Sequence, residues 1–128
     1  MIYLDTSVAV AQLLAEDRVP PPDLWNEFLV SSRMLEYEVW TRIHRLQLAK
    51  THGELARQLI SRIGLLELAS PVLARALEPF PTPVRTLDAL HLASIEFLRE
   101  QGQNLSLATY DSRMLDCARS LHIPIYPL

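Results

Sequence analysis

The sequence predicts an α/β fold: an α/β/α sandwich in which helices cover both faces of a central, mostly parallel sheet of four to five strands. Three observations lead there. Short apolar runs alternate with longer segments of helical periodicity, the order that builds parallel strands joined by crossover helices. Proline, glycine and hydroxyl residues punctuate the boundaries. The 128 residues, 49% of them hydrophobic, suffice for one core and one domain spanning residues 1–128.

The elements follow in order. "IYL" reads as a short buried strand, and "SVAVAQLLAED" as a helix that Thr6 or Ser7 could cap. "VPPPD" stops it. "LWNEF" reads as a short helix and "FLVSS" as the second strand. "RMLEYEVWTRIHRLQLA" carries Leu35, Val39, Ile43 and Leu46 at helical spacing. Thr51 is placed to cap "HGELARQLISRIG", with Gly64 as its stop. "LLELA" is the expected third strand, and Pro71 opens the helix "PVLARALE". "PFPTP" is a loop. "TLDALHLASIEFLRE" is helical, with Leu87, Leu90, Ser94 and Phe97 along one stripe. "LSLAT" is the fourth strand and "SRMLDCARSLH" the last helix. "IPIYPL" is expected as an edge strand, where Pro124 and Pro127 do least harm.

Composition narrows the function. Net charge is −3, so no global positive field attracts nucleic acid. Eleven of the 12 basic residues are Arg, Lys50 being the exception. Cys117 is the single cysteine, which excludes an internal disulfide and a cysteine zinc site and fits a reducing cytoplasm. No basic region precedes the first apolar run, so no signal peptide is expected. No apolar stretch approaches the ~20 residues of a membrane helix. There is no Gly-rich phosphate loop, and the histidines lack zinc-ligand spacing.

Acids mark the candidate site. Ligands in parallel sheets bind beyond the C-terminal strand ends. Asp5 follows the first strand and Asp111 the fourth. Asp88 lies in the first turn of one helix and Glu38 near the start of another. If those helix starts reach the same edge, four carboxylates share a pocket, and their repulsion calls for a hard divalent cation with oxygen ligands. Mg²⁺ or Mn²⁺ fits, and the chemistry that follows is phosphodiester hydrolysis. Each acid also has a local explanation. Asp5 and Asp111 could be helix caps, Asp88 could complement a helix dipole, and Glu38 could pair with Arg42. Glu36 reads as solvated. Asp116 could pair with Arg113 or Arg119, or join the pocket rim. His91 reads as a packed or hydrogen-bonded histidine more than a substrate contact.

The chain resembles the PIN domains, and among them the VapC-type toxin ribonucleases. The resemblance rests on "YLDTSVAV", "EYEVWTRIHR", "TLDALHLAS" and "LATYDSRMLDCARSLHI", and spans nearly the whole length. It implies a PIN-like fold in which Asp5, Glu38, Asp88 and Asp111 are the catalytic, metal-binding acids. Asp116 would be a further acid at the metal site. Thr6, Ser7 and Thr109 would support the site. Beside the resemblance, Arg33, Arg42, Arg85 and Arg113 are candidates for holding RNA phosphates, although each taken singly reads first as ordinary helix-surface charge. The resemblance also implies a Mg²⁺- or Mn²⁺-dependent endoribonuclease, active as a homodimer on RNA. A cognate antitoxin would restrain it, and only through that partner would it reach DNA.

Three alternatives stand beside this. A PIN nuclease could process RNA without any antitoxin, or a PIN scaffold could bind partners without catalysis. A phosphoryl-receiver module also has an acidic Mg²⁺ pocket, but needs a lysine after a late strand, and Lys50 follows a helix instead.

Overall fold

The computed structural model describes residues 1–128. Its sheet has four strands: β1 (Ile2–Leu4), β2 (Leu29–Ser32), β3 (Ile63–Leu66) and β4 (Ser106–Ala108). Their spatial order is β3-β2-β1-β4, and every pairing is parallel. The chain steps from β1 to β2 to β3 in one direction, then returns so that β4 pairs with the other side of β1. The order therefore reverses at β1, and the crevice at such a switch point is where open α/β sheets bind ligands.

Six α-helices surround the sheet: α1 (Thr6–Leu14), α2 (Met34–Arg45), α3 (Ala49–Ser61), α4 (Ser70–Ala76), α5 (Thr86–Glu100) and α6 (Ser112–Ser120). Side chains alternate across a strand, so β1 sends Ile2 and Leu4 to one face and Tyr3 to the other. The first face packs with Val8 of α1, Leu35, Val39 and Ile43 of α2, and Leu59 and Ile60 of α3. The second packs with Leu92 and Ile95 of α5 and Met114, Cys117 and Ala118 of α6. Two cores separated by one sheet make the α/β/α sandwich. Each fully buried aliphatic side chain among them contributes about 1.5–3 kcal/mol.

Several boundaries differ from the sequence-based expectation. Thr6 and Ser7 do not cap α1; Asp5 is its N-cap residue and makes no side-chain cap hydrogen bond. The hydroxyls of Thr6 and Ser7 turn instead to other partners. The two helices expected after β2 are both present, but the boundary between them lies earlier. α2 ends at Arg45, Gln47 adopts a left-handed φ of 57°, and α3 starts at Ala49. Leu46 thus lies past the helix end and is exposed. Thr51 sits inside α3, where its hydroxyl donates to the Leu48 carbonyl at 3.3 Å. Gly64 does not stop that helix; it lies within β3, which begins two residues before the expected "LLELA". The stripe expected on α5 is shifted. Ser94 is buried as expected, but Leu87 is exposed and Leu90 and Phe97 are half-buried, while Ala89, His91, Leu92, Ala93 and Ile95 are buried too, because α5 packs against α4 and α6 as well as the sheet. "IPIYPL" forms a single bridge, Ile125 to Leu107, rather than a fifth strand. Its two prolines remove the donors a longer ladder needs.

No helix is long and apolar enough to cross a membrane.

Candidate active site

A cleft of about 820 Å³ opens at the C-terminal end of β1 and β4. Asp5, Glu38, Asp88 and Asp111 all line it. Each reaches it for a local reason. β1 ends at Leu4, and Asp5 keeps an extended backbone before α1 turns away. Asp111 is the N-cap of α6, three residues beyond β4. Glu38 lies in the second turn of α2, and Asp88 in the first turn of α5.

The four carboxylates share one feature: one oxygen of each is anchored and the other is free. Asp5 Oδ2 accepts from Ser7 Oγ at 2.6 Å and Thr109 Oγ1 at 2.7 Å. Glu38 Oε1 accepts from Thr6 Oγ1 at 2.9 Å and lies 2.7 Å from His91 Nε2. Asp88 Oδ2 accepts from the Arg85 backbone N–H at 3.2 Å. Asp111 Oδ1 accepts from the backbone N–H groups of Arg113 at 2.9 Å and Met114 at 3.2 Å. Oδ1 of Asp5, Oε2 of Glu38, Oδ1 of Asp88 and Oδ2 of Asp111 take no hydrogen bond, and none of these oxygens is sealed inside the protein.

Asp5, Thr109 and Asp111 form one connected unit. Thr109 Oγ1 donates to Asp5 and accepts the Asp111 N–H at 3.0 Å, and Ser7 Oγ accepts the Tyr110 N–H at 3.0 Å. Beneath Glu38, His91 is buried and reaches Tyr3 Oη through Nδ1 at 2.8 Å. Burial opposes charge on His91, but the Glu38 hydrogen bond and the carboxylates of Asp5, Glu38 and Asp88 outweigh it, so its pKa is raised. Burial pushes the Tyr3 phenol up as well, which keeps it neutral. Burial also raises the Asp88 pKa. The Arg85 hydrogen bond opposes that rise, while the charges of Asp111 and Asp5 add to it.

The other candidates divide. Arg42 and Arg85 line the cleft; Arg33 and Arg113 do not. Arg33, the N-cap residue of α2, is tied to Glu67 and lies 3.6 Å from Glu36. Asp116 is exposed, 3.8 Å from Arg119, and outside the cleft. Arg42 pairs with Glu16 at 3.6 Å rather than with Glu38. Lys50 is exposed and away from the cleft, so the lysine of a phosphoryl receiver is missing.

Sequence reasoning missed one side of the cleft: Glu16, Asp17, Arg18 and Tyr110 also line it. The Arg18 guanidinium stacks over the Tyr110 ring at 5.0 Å. The signal was weak, because the acids stand in a turn after α1. That turn begins at Ala15, the C-cap of α1, whose φ is 49°.

Asp5, Glu16, Asp17, Glu38, Asp88 and Asp111 line the cleft together with Arg18, Arg42 and Arg85, an excess of three negative charges. An all-oxygen donor set with free carboxylate oxygens suits a hard cation such as Mg²⁺ or Mn²⁺. The side chains as they stand do not close around an ion: no three of the Asp, Glu, His and Cys side chains are gathered into a ligand cage.

The PIN domain profile matches residues 2–120. The chain is 33% identical to ribonuclease VapC46 of Mycobacterium tuberculosis, over 97% of this chain and 95% of that protein. It is 28% identical to ribonuclease VapC47 of the same species, over 94% of this chain and 92% of that one. No solved structure matches. With the profile spanning almost its whole length and the parallel sheet in place, the chain belongs to the PIN-domain family.

Proposed function

We propose that this protein is a divalent-metal-dependent endoribonuclease, the toxin of a VapBC-type pair. The observation that carries this is the set of four cleft acids, each held by one oxygen and offering the other. An RNA phosphate cannot approach an excess of carboxylates unless a cation offsets their charge. Asp5, Asp88 and Asp111 would hold the principal Mg²⁺ or Mn²⁺, with Glu38 holding a second ion or an ion's water. The metal would supply an activated water and charge stabilisation at the phosphate. The chain's own residues do the rest. Thr109, Ser7 and Thr6 orient the carboxylates, and Arg42 and Arg85 stand where they can pair with RNA phosphates. Asp116, Arg33 and Arg113 have no part in this scheme.

The names of both M. tuberculosis relatives support ribonuclease action on this chain. They also support a cognate antitoxin, and the acidic cleft suits an antitoxin's Arg, which pairs with carboxylates in bidentate fashion. We place the action on RNA in the cytoplasm, with the protein as a homodimer.

Induced expression without a partner, with mapping of RNA 5′ ends, tests the function. Growth should stop and new 5′ ends should accumulate. Asp5→Asn, Asp88→Asn and Asp111→Asn should each abolish both at equal protein level. Arrest that survives all three substitutions would show that the cleft is not the source of toxicity.

A further inference from the structure

We propose that Tyr3 and His91 form a buried positioning chain that presets Glu38 for metal. The proposal rests on the metal-dependent function above and assigns residues that do not touch the metal themselves.

His91 is 1% exposed and Tyr3 is fully buried. Both ring nitrogens of His91 are engaged by side chains from other elements: Nδ1 with Tyr3 Oη at 2.8 Å on β1, Nε2 with Glu38 Oε1 at 2.7 Å on α2. The two rings meet edge to face, 82° apart, with centroids separated by 5.8 Å. Ser94, one turn along α5, settles its hydroxyl on the Leu90 carbonyl of its own helix. His91 instead bridges β1 and α2 across the interior.

The donor order follows from chemistry. An ionised carboxylate only accepts, so the proton lies on His91 Nε2. Thr6 Oγ1 donates to the same Glu38 oxygen at 2.9 Å. Two donors converge on Oε1, and Oε2 is left without a hydrogen bond. Glutamate has three side-chain torsions, and ordering them costs entropy. With Oε1 clamped from below, that cost falls on folding rather than on metal binding. Carboxylate ligands are commonly tuned by such outer partners, whose loss lowers metal affinity 10–100-fold. α5 thus serves the cleft twice: Asp88 stands at its rim, and His91, three residues on, holds an acid that belongs to another helix.

The test reads Mn²⁺ binding to the intact protein by electron paramagnetic resonance of the free ion. It compares wild type, His91→Leu, His91→Gln and Glu38→Gln. His91→Leu removes the donor and should weaken Mn²⁺ binding about 10–100-fold while the metal-free protein still melts cooperatively. His91→Gln keeps an N–H toward Glu38 and should recover most of the affinity. In the Glu38→Gln background, His91→Leu should add nothing further, because the clamped carboxylate is already gone. A folded His91→Leu that binds Mn²⁺ as wild type does would overturn the proposal. So would a His91→Gln no better than His91→Leu, or an equal loss in the Glu38→Gln background. If His91→Leu does not fold, His91→Asn replaces it: polar, but too short to reach Glu38, and held to the same expectation. A wild type that binds no Mn²⁺ overturns the metal-dependent function itself. A wild type that binds, with variants that bind equally, overturns the positioning chain alone.

Discussion

Thr109 donates its hydroxyl to Asp5 at 2.7 Å, across 104 residues of sequence. The same oxygen accepts the Asp111 N–H at 3.0 Å. One small side chain therefore ties the acid at the end of β1 to the acid that caps α6. Thr109→Val keeps the shape but strips Asp5 of a donor and leaves the Asp111 N–H unpaired. It should cost about 1–3 kcal/mol of stability. Thr109→Ser keeps both bonds and should stay close to wild type. Urea unfolding decides: a Val variant as stable as the Ser variant would show that the unit contributes nothing.

Asp88 should behave oppositely with and without metal. Burial lifts its pKa, with Asp111 and Asp5 adding and the Arg85 N–H opposing. A carboxyl raised in the folded state favours folding while protonated, and that advantage is lost as pH rises through the folded value. Asp88→Asn stays neutral, and its amide oxygen can still accept from Arg85. Metal-free melts should therefore match wild type at low pH and exceed it at neutral pH. With Mn²⁺ at 100 times its dissociation constant, wild type should gain about 2.7 kcal/mol and the variant much less. A variant that is weaker without metal and gains as much from Mn²⁺ would remove Asp88 from the site.

Cleft and outer arginines should separate in RNA binding. Arg85 lines the cleft, whereas Arg33 is held by Glu67 outside it. On an Asp5→Asn background that leaves RNA uncut, Arg85→Ala should weaken binding and lower the salt slope by about 0.7 for one lost phosphate contact on a single strand. Arg33→Ala should change neither. Equal slopes for both variants would place the RNA elsewhere.

Gly53 offers a stabilising change far from the cleft. It lies inside α3 with no left-handed backbone, and an added Cβ would meet Trp40 at 3.5 Å and Arg57 at 3.8 Å, ordinary contact distances. Gly53→Ala should raise stability by about 0.5–1 kcal/mol. Calorimetry should show a melting point higher by about 2–4 °C with RNA cleavage unchanged. A lowered melting point would mean that Trp40 and Arg57 cannot accommodate a methyl group.

What the sequence determined by itself is local. An apolar run broken by an acid marks a strand end, so Asp5 and Asp111 could be assigned to one edge of a parallel sheet before any coordinates. Periodicity placed Leu35, Val39 and Ile43 on the inner face of α2. The four quoted motifs, taken in order, pointed to the PIN domain that the profile match bears out.

Tertiary structure decided what depends on distant parts of the chain. Helical spacing offers Arg42 to Glu38, but packing gives Glu38 to His91, 53 residues away, and Arg42 to Glu16. Spacing also cannot say which side chains reach the cleft: Arg33, Arg113 and Asp116 lie outside it, while Glu16, Asp17, Arg18 and Tyr110 line it. The third strand began early and the last strand shrank to one bridge, because pairing with a neighbour sets strand limits more than composition does. The physical reason is the same throughout. Period and capping act over a few residues, whereas the partner of a buried polar group is chosen by how separate helices and strands pack together.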